Sequence, residues 1–303
     1  MKKYIGMFMV VLAMALVGFA PNLHSPLQAQ DKVGIVYPYG VDVPTDPELK
    51  NLQWNRYAAE NFSILSIDDA QGKWLSENMD KIRSWCLTRW GFPESKFTKE
   101  CRVFCVPNKA LLKKLFSLEQ SKVEVRKDMT VMWLVLDDKP ARTIPPQLTH
   151  ICLTEFEAKH NVVIGWWFKR GSAQLNGTIP DIRQSVAALD DMLKKDRPIF
   201  VSEKMFTMTE EDYNKESAAN KKIFDQQAVA LCIMLRKEFG EAKLQGFLRI
   251  SSKNNSQDVL KVVYGFSGYG HFDKQYIRFM RDLTYDVLNN KTPDSYLEIR
   301  PVR

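Results

Sequence analysis

Near residue 138 the spacing of apolar residues changes from short dense runs to long helical stripes, and that change divides the chain. Before it, Phe62 to Ile67, Arg102 to Val106 and Thr130 to Leu136 read as strands. The last of these is too apolar to be exposed on both faces. Between the strands, Leu75, Met79, Ile82 and Cys86 recur at spacings of four, three and four, the pattern of an amphipathic helix. Pro107-Asn108 stops the second strand, and Ala110 to Leu118 reads as a shorter helix. After the connector Asp137-Asp138-Lys139-Pro140, the stripes are Leu148/Ile151/Cys152/Phe156, Ile182/Val186/Leu189/Leu193, Phe224/Ala228/Leu231/Leu235 and Phe272/Tyr276/Phe279/Leu283/Val287. Pro145-Pro146 suit the first turn of the helix they precede. Strand-bearing text followed by helical text predicts an α+β protein with its helices segregated to one part. The expected division is a sheet-bearing lobe over 30–138, a helical lobe over 139–288 and a polar, flexible tail over 289–303. A chain of 303 residues with 45% hydrophobic residues is long enough for a sizeable core.

The first residues stand apart from that core. Lys2 and Lys3 precede an apolar run from Ile5 to Ala20, the layout of a secretory signal peptide ending at Ala29. An uncleaved membrane anchor is the alternative, although the run is shorter than the roughly 20 residues that a bilayer span needs. Secreted or periplasmic placement is therefore expected. Removing residues 1–29 takes away two lysines and no acid, which lowers the formal net charge of +7 by two. The remaining basic residues are dispersed, with Lys113-Lys114 and Lys221-Lys222 only pairs, so no nucleic-acid stripe is formed. The five cysteines are Cys86, Cys101, Cys105, Cys152 and Cys232. Cys152 and Cys232 fall on apolar helix faces and read as small core residues. Cys86 and Cys101 flank a turn-rich segment and are the preferred disulfide, with Cys86–Cys105 the competitor. No cysteine metal-site spacing accompanies them.

Two short stretches carry a family resemblance. Pro146-Gln147-Leu148-Thr149-His150 is similar to the H-E-L-T-H motif of the gluzincin metallopeptidases, in particular the peptidase MA-like group. Trp167-Phe168-Lys169-Arg170-Gly171-Ser172-Ala173 resembles their W-L-x-E-G-x-A motif. Phe224 to Leu244 looks like the helix pair that follows the active site in that group, and Tyr264-Gly265-Phe266-Ser267 with Phe272 looks like its closing segment, so the resemblance runs from about Phe62 to about Leu283. It implies a zincin-like fold, a sheet-bearing lobe and a helical lobe with a cleft between. The strand over Val131 to Leu136 resembles the edge strand that pairs with extended substrate in that fold, and a plain sheet strand is the simpler reading.

The resemblance also says where the chemistry departs from the family. Pro146 takes the place of the first zinc-binding histidine, Gln147 that of the general base and Arg170 that of the ligand glutamate; only His150 matches. A catalytic zinc needs three protein ligands and an open position. Here one imidazole is offered, and a guanidinium stands where the ion belongs. Two unit charges about 4 Å apart repel by roughly 4 kcal/mol at an effective dielectric near 20. Glutamine takes no proton from water. The expected function is an exported pseudopeptidase that binds a peptide or protein, with no cofactor and no membrane contact beyond the signal segment.

Residues three and four apart share a helix face, so Gln147, His150, Thr154 and Glu157 line one stripe. With Trp166 and Arg170, the first three of these are the candidate cleft residues. For His150 the simpler role is a hydrogen-bonded cleft histidine. For Arg170 it is an ion pair with Glu155 or Glu157, and the sharper one is capture of a carboxylate. Trp167 reads as core packing. The enzyme alternative is a zinc metallopeptidase rebuilt from His150, His160 and a carboxylate; a third reading is a structural envelope component with a filled cleft.

Overall fold

The computed structural model describes residues 30–33, 52–92, 96–136, 140–194, 200–251 and 255–298. The expected signal segment and His24 lie outside the described residues. No helix among the described residues is long and apolar enough to cross a membrane.

Among the described residues six strands form one open, mixed sheet in the order β1-β2-β3-β4-β6-β5. They are β1 (Gln30–Val33), β2 (Trp54–Ala58), β3 (Phe62–Ser66), β4 (Glu100–Val106), β5 (Lys122–Val125) and β6 (Met129–Val135). The central pairs β3·β4 and β4·β6 are parallel, and the outer pairs are antiparallel. Successive strand residues point to opposite faces. Ile64, Val103, Met132 and Leu134 accordingly pack beneath α1 (Asp69–Thr88), against Leu75 and Met79. Their neighbours Leu65, Phe104, Val131 and Trp133 pack on the other face, against Leu112 and Leu115 of α2 (Lys109–Phe116). Cover on both faces is why these strands read as unbroken apolar runs. Asp68 and Asn108 cap the two helices, accepting from the amides of Gln71 at 2.8 Å and Leu111 at 2.9 Å.

Sheet order settles the place of the third strand. The strand over 131–136 is interior, flanked by β4 and β5, which agrees with the simpler reading of a plain sheet strand, and β5 ends the sheet on that side. Its Lys122 and Glu124, charged residues in a short strand, are what an edge position favours.

The second half is helical: α3 (Pro140–His160), α4 (Trp166–Leu175), α5 (Ile179–Ala187), α6 (Leu189–Lys194), α7 (Ser202–Thr207), α8 (Glu210–Lys215), α9 (Ala218–Phe239), α10 (Glu241–Ser251), α11 (Ser256–Val259), α12 (Tyr269–Leu288) and α13 (Asp294–Leu297), with a π-helical turn at Leu260–Tyr264. α9 is buried continuously from Gln226 to Leu235, as a helix surrounded by others must be. It ends at Gly240, whose φ of 84° few other residues adopt. The stripe from Ile182 to Leu193 is two helices, broken at Ala188, rather than one. α3 starts at Pro140, so Pro145 and Pro146 lie inside it instead of at its first turn. The carbonyl of Pro145 accepts from Thr149 Oγ1 at 2.7 Å.

Two further expectations are corrected. All five cysteines are free and buried, so neither Cys86–Cys101 nor Cys86–Cys105 is a disulfide. Cys86, Cys101 and Cys105 serve as small apolar residues between the sheet and its helices. Cys86 Sγ donates to Pro145 O at 3.5 Å, and Cys105 Sγ to Gln71 Oε1 at 3.5 Å. The expected loose tail is also ordered through Leu297, which is fully buried. Arg183 of α5 holds it, donating to Thr292 O at 2.6 Å and Asp294 Oδ1 at 2.7 Å.

Candidate functional site

α3 and α4 lie side by side, and the stripe predicted on α3 faces α4 and the sheet edge. At its first turn, Gln147 Nε2 donates to Ser121 O at 3.3 Å, just before the edge strand β5. One turn on, the His150 ring meets Trp166 edge to face, with centroids 5.5 Å apart. Thr154 comes next, with its Oγ1 buried and without a hydrogen-bond partner; the Nε1–H of Trp166 is in the same condition. Glu157 closes the stripe, accepting from Ile164 N at 2.6 Å and Lys169 Nζ at 2.5 Å. A single carboxylate thus ties the end of α3 to the loop before α4 and to α4 itself.

Arg170 faces the other way. Its Nε donates to Asp225 Oδ1 at 2.8 Å and its Nη2 to Asp225 Oδ2 at 2.5 Å. Tyr213 supports the pair, donating its hydroxyl to Asp225 Oδ2 at 3.0 Å while the guanidinium lies 5.0 Å from its ring centroid. Burial alone would lower the Arg170 pKa, but the hydrogen bonds and charge of Asp225 raise it above the ordinary value. The expected partners are therefore corrected. Glu157 is taken by Lys169, and Glu155 accepts from Thr98 N at 3.0 Å. Lys169 and Arg170 are one residue apart, so they leave the helix about 100° apart and reach different neighbours. Asp225 escaped sequence reasoning because nothing local marks a partner 55 residues away.

His150 is hemmed in by this arrangement. Burial, then the charges of Lys169 and Arg170, push its pKa down from 6.5 to about 4. It is a neutral imidazole at physiological pH, and among the described residues no hydrogen bond to its ring is found. The expected hydrogen-bonded histidine is replaced by a ring packed on Trp166. Trp166 in turn leans on Tyr213, with centroids 5.6 Å apart, which makes one connected cluster of His150, Trp166, Tyr213, Arg170 and Asp225. Trp167 is core, as expected, against Phe206 and Phe247.

These residues do not fit a zinc ion. Pro146 has no donor atom and Arg170 is a cation already paired, with Lys169 a second cation nearby. Among the described residues no group of three histidine, cysteine or acidic side chains is placed to hold a metal. His160 stands ten residues beyond His150, roughly 15 Å along the helix, with its ring on Phe156 at 4.2 Å. The rebuilt set of His150, His160 and a carboxylate is not brought together.

Gly171 sets the spacing behind the site. A Cβ there would lie 2.4 Å from Ala228 O and 2.6 Å from Cys232 Sγ, so α4 and α9 approach backbone to backbone. That approach is what lets Arg170 reach Asp225.

No protein-family model matches the chain, and no curated protein matches it.

Proposed function

We propose that this chain is an exported protein of zincin-like design in which the gluzincin site has been turned from hydrolysis to holding a peptide or protein. The observation that carries the reading is the Arg170–Asp225 clamp beside a neutral, half-buried His150. At the positions the resemblance gives to metal and base, the side chains are spent on intramolecular contacts. Gln147 supports it too, since it links the site to the end of the sheet at Ser121. β5, the end strand on the side of the site, offers an edge to which an extended peptide adds, with main-chain hydrogen bonds supplying affinity.

The test is metal analysis together with a peptidase assay. Protein dialysed after incubation with zinc is expected to retain far less than one ion per chain and to cleave no unstructured peptide in a chelator-sensitive way. Stoichiometric zinc with chelator-sensitive cleavage would overturn the reading. A second reading, a structural envelope component with a filled cleft, draws on the wedging of Trp166 between His150 and Tyr213. Crosslinking from a photoreactive residue at Lys122 separates the two. Crosslinks to peptide or protein partners favour binding, and their absence favours the filled cleft.

A further inference from the structure

At the far end of α3 from His150 lies a hollow of about 400 Å³ that none of the chemistry above uses. Trp90 and Phe92, which follow α1, Phe156 of α3, Ile164 of the α3–α4 loop and Leu248 of α10 give it apolar walls. The aromatic walls are held in place by one another. Phe92 meets Phe156 edge to face at 4.8 Å, and Trp90 meets Phe168 likewise at 5.1 Å. Pockets that bury small ligands are typically about 300–1,000 Å³, mostly apolar, with a few fixed polar groups. This one meets each condition.

His160 and Arg249 stand among the lining residues with Gln245, and none of the described residues lining the hollow is acidic. Trp90, almost wholly buried, has an Nε1–H with no hydrogen-bond partner. Gln245 is fixed by Nε2 donation to Trp90 O at 3.3 Å. Gly91 makes that close approach possible: its φ is 67°, and a Cβ there would fall 1.7 Å from Gln245 Nε2. Apolar walls with a guanidinium at the rim match an apolar body ending in a carboxylate.

We infer that the hollow between α1, α3 and α10 binds a small hydrophobic carboxylate. The same chemistry comes from two sources, a free aliphatic acid or the C-terminal residue of a peptide. The site is separate from the one around His150 and stands whether or not that site binds anything.

Calorimetric titration of the full chain tests this with decanoate, decan-1-ol, the peptide Ala-Ala-Ala-Phe and its C-terminal amide. Saturable one-to-one binding is expected for decanoate or for the free-acid peptide, whichever source applies, and at least about tenfold weaker binding for its uncharged counterpart. Val162→Trp, at a half-buried wall position, should abolish binding by filling the space. Arg249→Gln should weaken the acid about tenfold and leave the alcohol unchanged. If Val162→Trp does not fold, as judged by circular dichroism, Arg249→Gln decides alone. No saturable binding, equal binding of acid and neutral forms, or affinity unmoved by a folded variant would each overturn the assignment.

Discussion

Arg170 and Asp225 meet through two parallel hydrogen bonds, so α4 and α9 are joined side chain to side chain. The pair is partly solvated on the arginine side and well covered on the aspartate side. Removing one partner leaves the other charge poorly compensated, which costs more than the pair itself contributes. Asp225→Asn or Arg170→Met is expected to destabilise the protein by about 2 kcal/mol. The double variant should cost less than the two single effects added. Urea denaturation of all four proteins measures this, and strict additivity would mean the clamp carries no coupling.

The pH dependence of stability reports on His150. Its folded value of about 4 lies below the ordinary 6.5. Between those values the unfolded chain binds a proton that the folded chain refuses, so acid favours unfolding. The contribution is fully present above pH 6.5, is lost as pH falls, and levels off below about 4. At most it amounts to about 3 kcal/mol. His150→Gln should lose less stability than the parent between pH 6.5 and 4. Parallel curves for the two proteins would remove His150 as the cause.

Gly171→Ala is expected to be costly although alanine favours helices. The new methyl group meets the Ala228 carbonyl, which is backbone and cannot rotate away. Overpacking of this kind costs about 1–3 kcal/mol. Cys232→Ala should not rescue it, since it relieves only the sulfur contact. A melting temperature equal to that of the parent would show that α4 and α9 separate freely.

The thiols should be silent in the native state. Burial raises all five, Cys86 and Cys105 to about 12, so almost no thiolate exists at pH 8. A thiol reagent at that pH is expected to label the native protein negligibly and all five cysteines after denaturation. Peptide mapping without reductant should find no crosslinked pair. Fast labelling of one cysteine in the native protein would contradict its placement in the core.

Much of the local structure was legible. Leu75, Met79 and Cys86 lie on one buried face of α1, and the α3 stripe keeps Gln147, His150, Thr154 and Glu157 on one side. Spacing decides such matters because backbone geometry fixes which residues share a face. The break at Ala188 and the short edge strand β5 were less visible. A stripe continues in register across a brief interruption, and a strand of four residues with intermediate exposure has little periodicity to read.

The sequence by itself determined an α+β chain with its strands first and its helices after, and it marked Pro146, Gln147 and Arg170 as unable to do zinc chemistry. Side-chain type is enough for that, since proline has no ligand atom and arginine no vacant lone pair to offer. Only the tertiary structure decided that Arg170 answers to Asp225 rather than Glu155 or Glu157, that Cys86 donates to the Pro145 carbonyl instead of bonding Cys101, and that Leu297 brings the tail into the core. Each of these is a choice among chemically equal partners far apart along the chain. Such choices are settled by which helices are brought close enough to touch, and here the absent side chain of Gly171 sets that distance for α4 and α9.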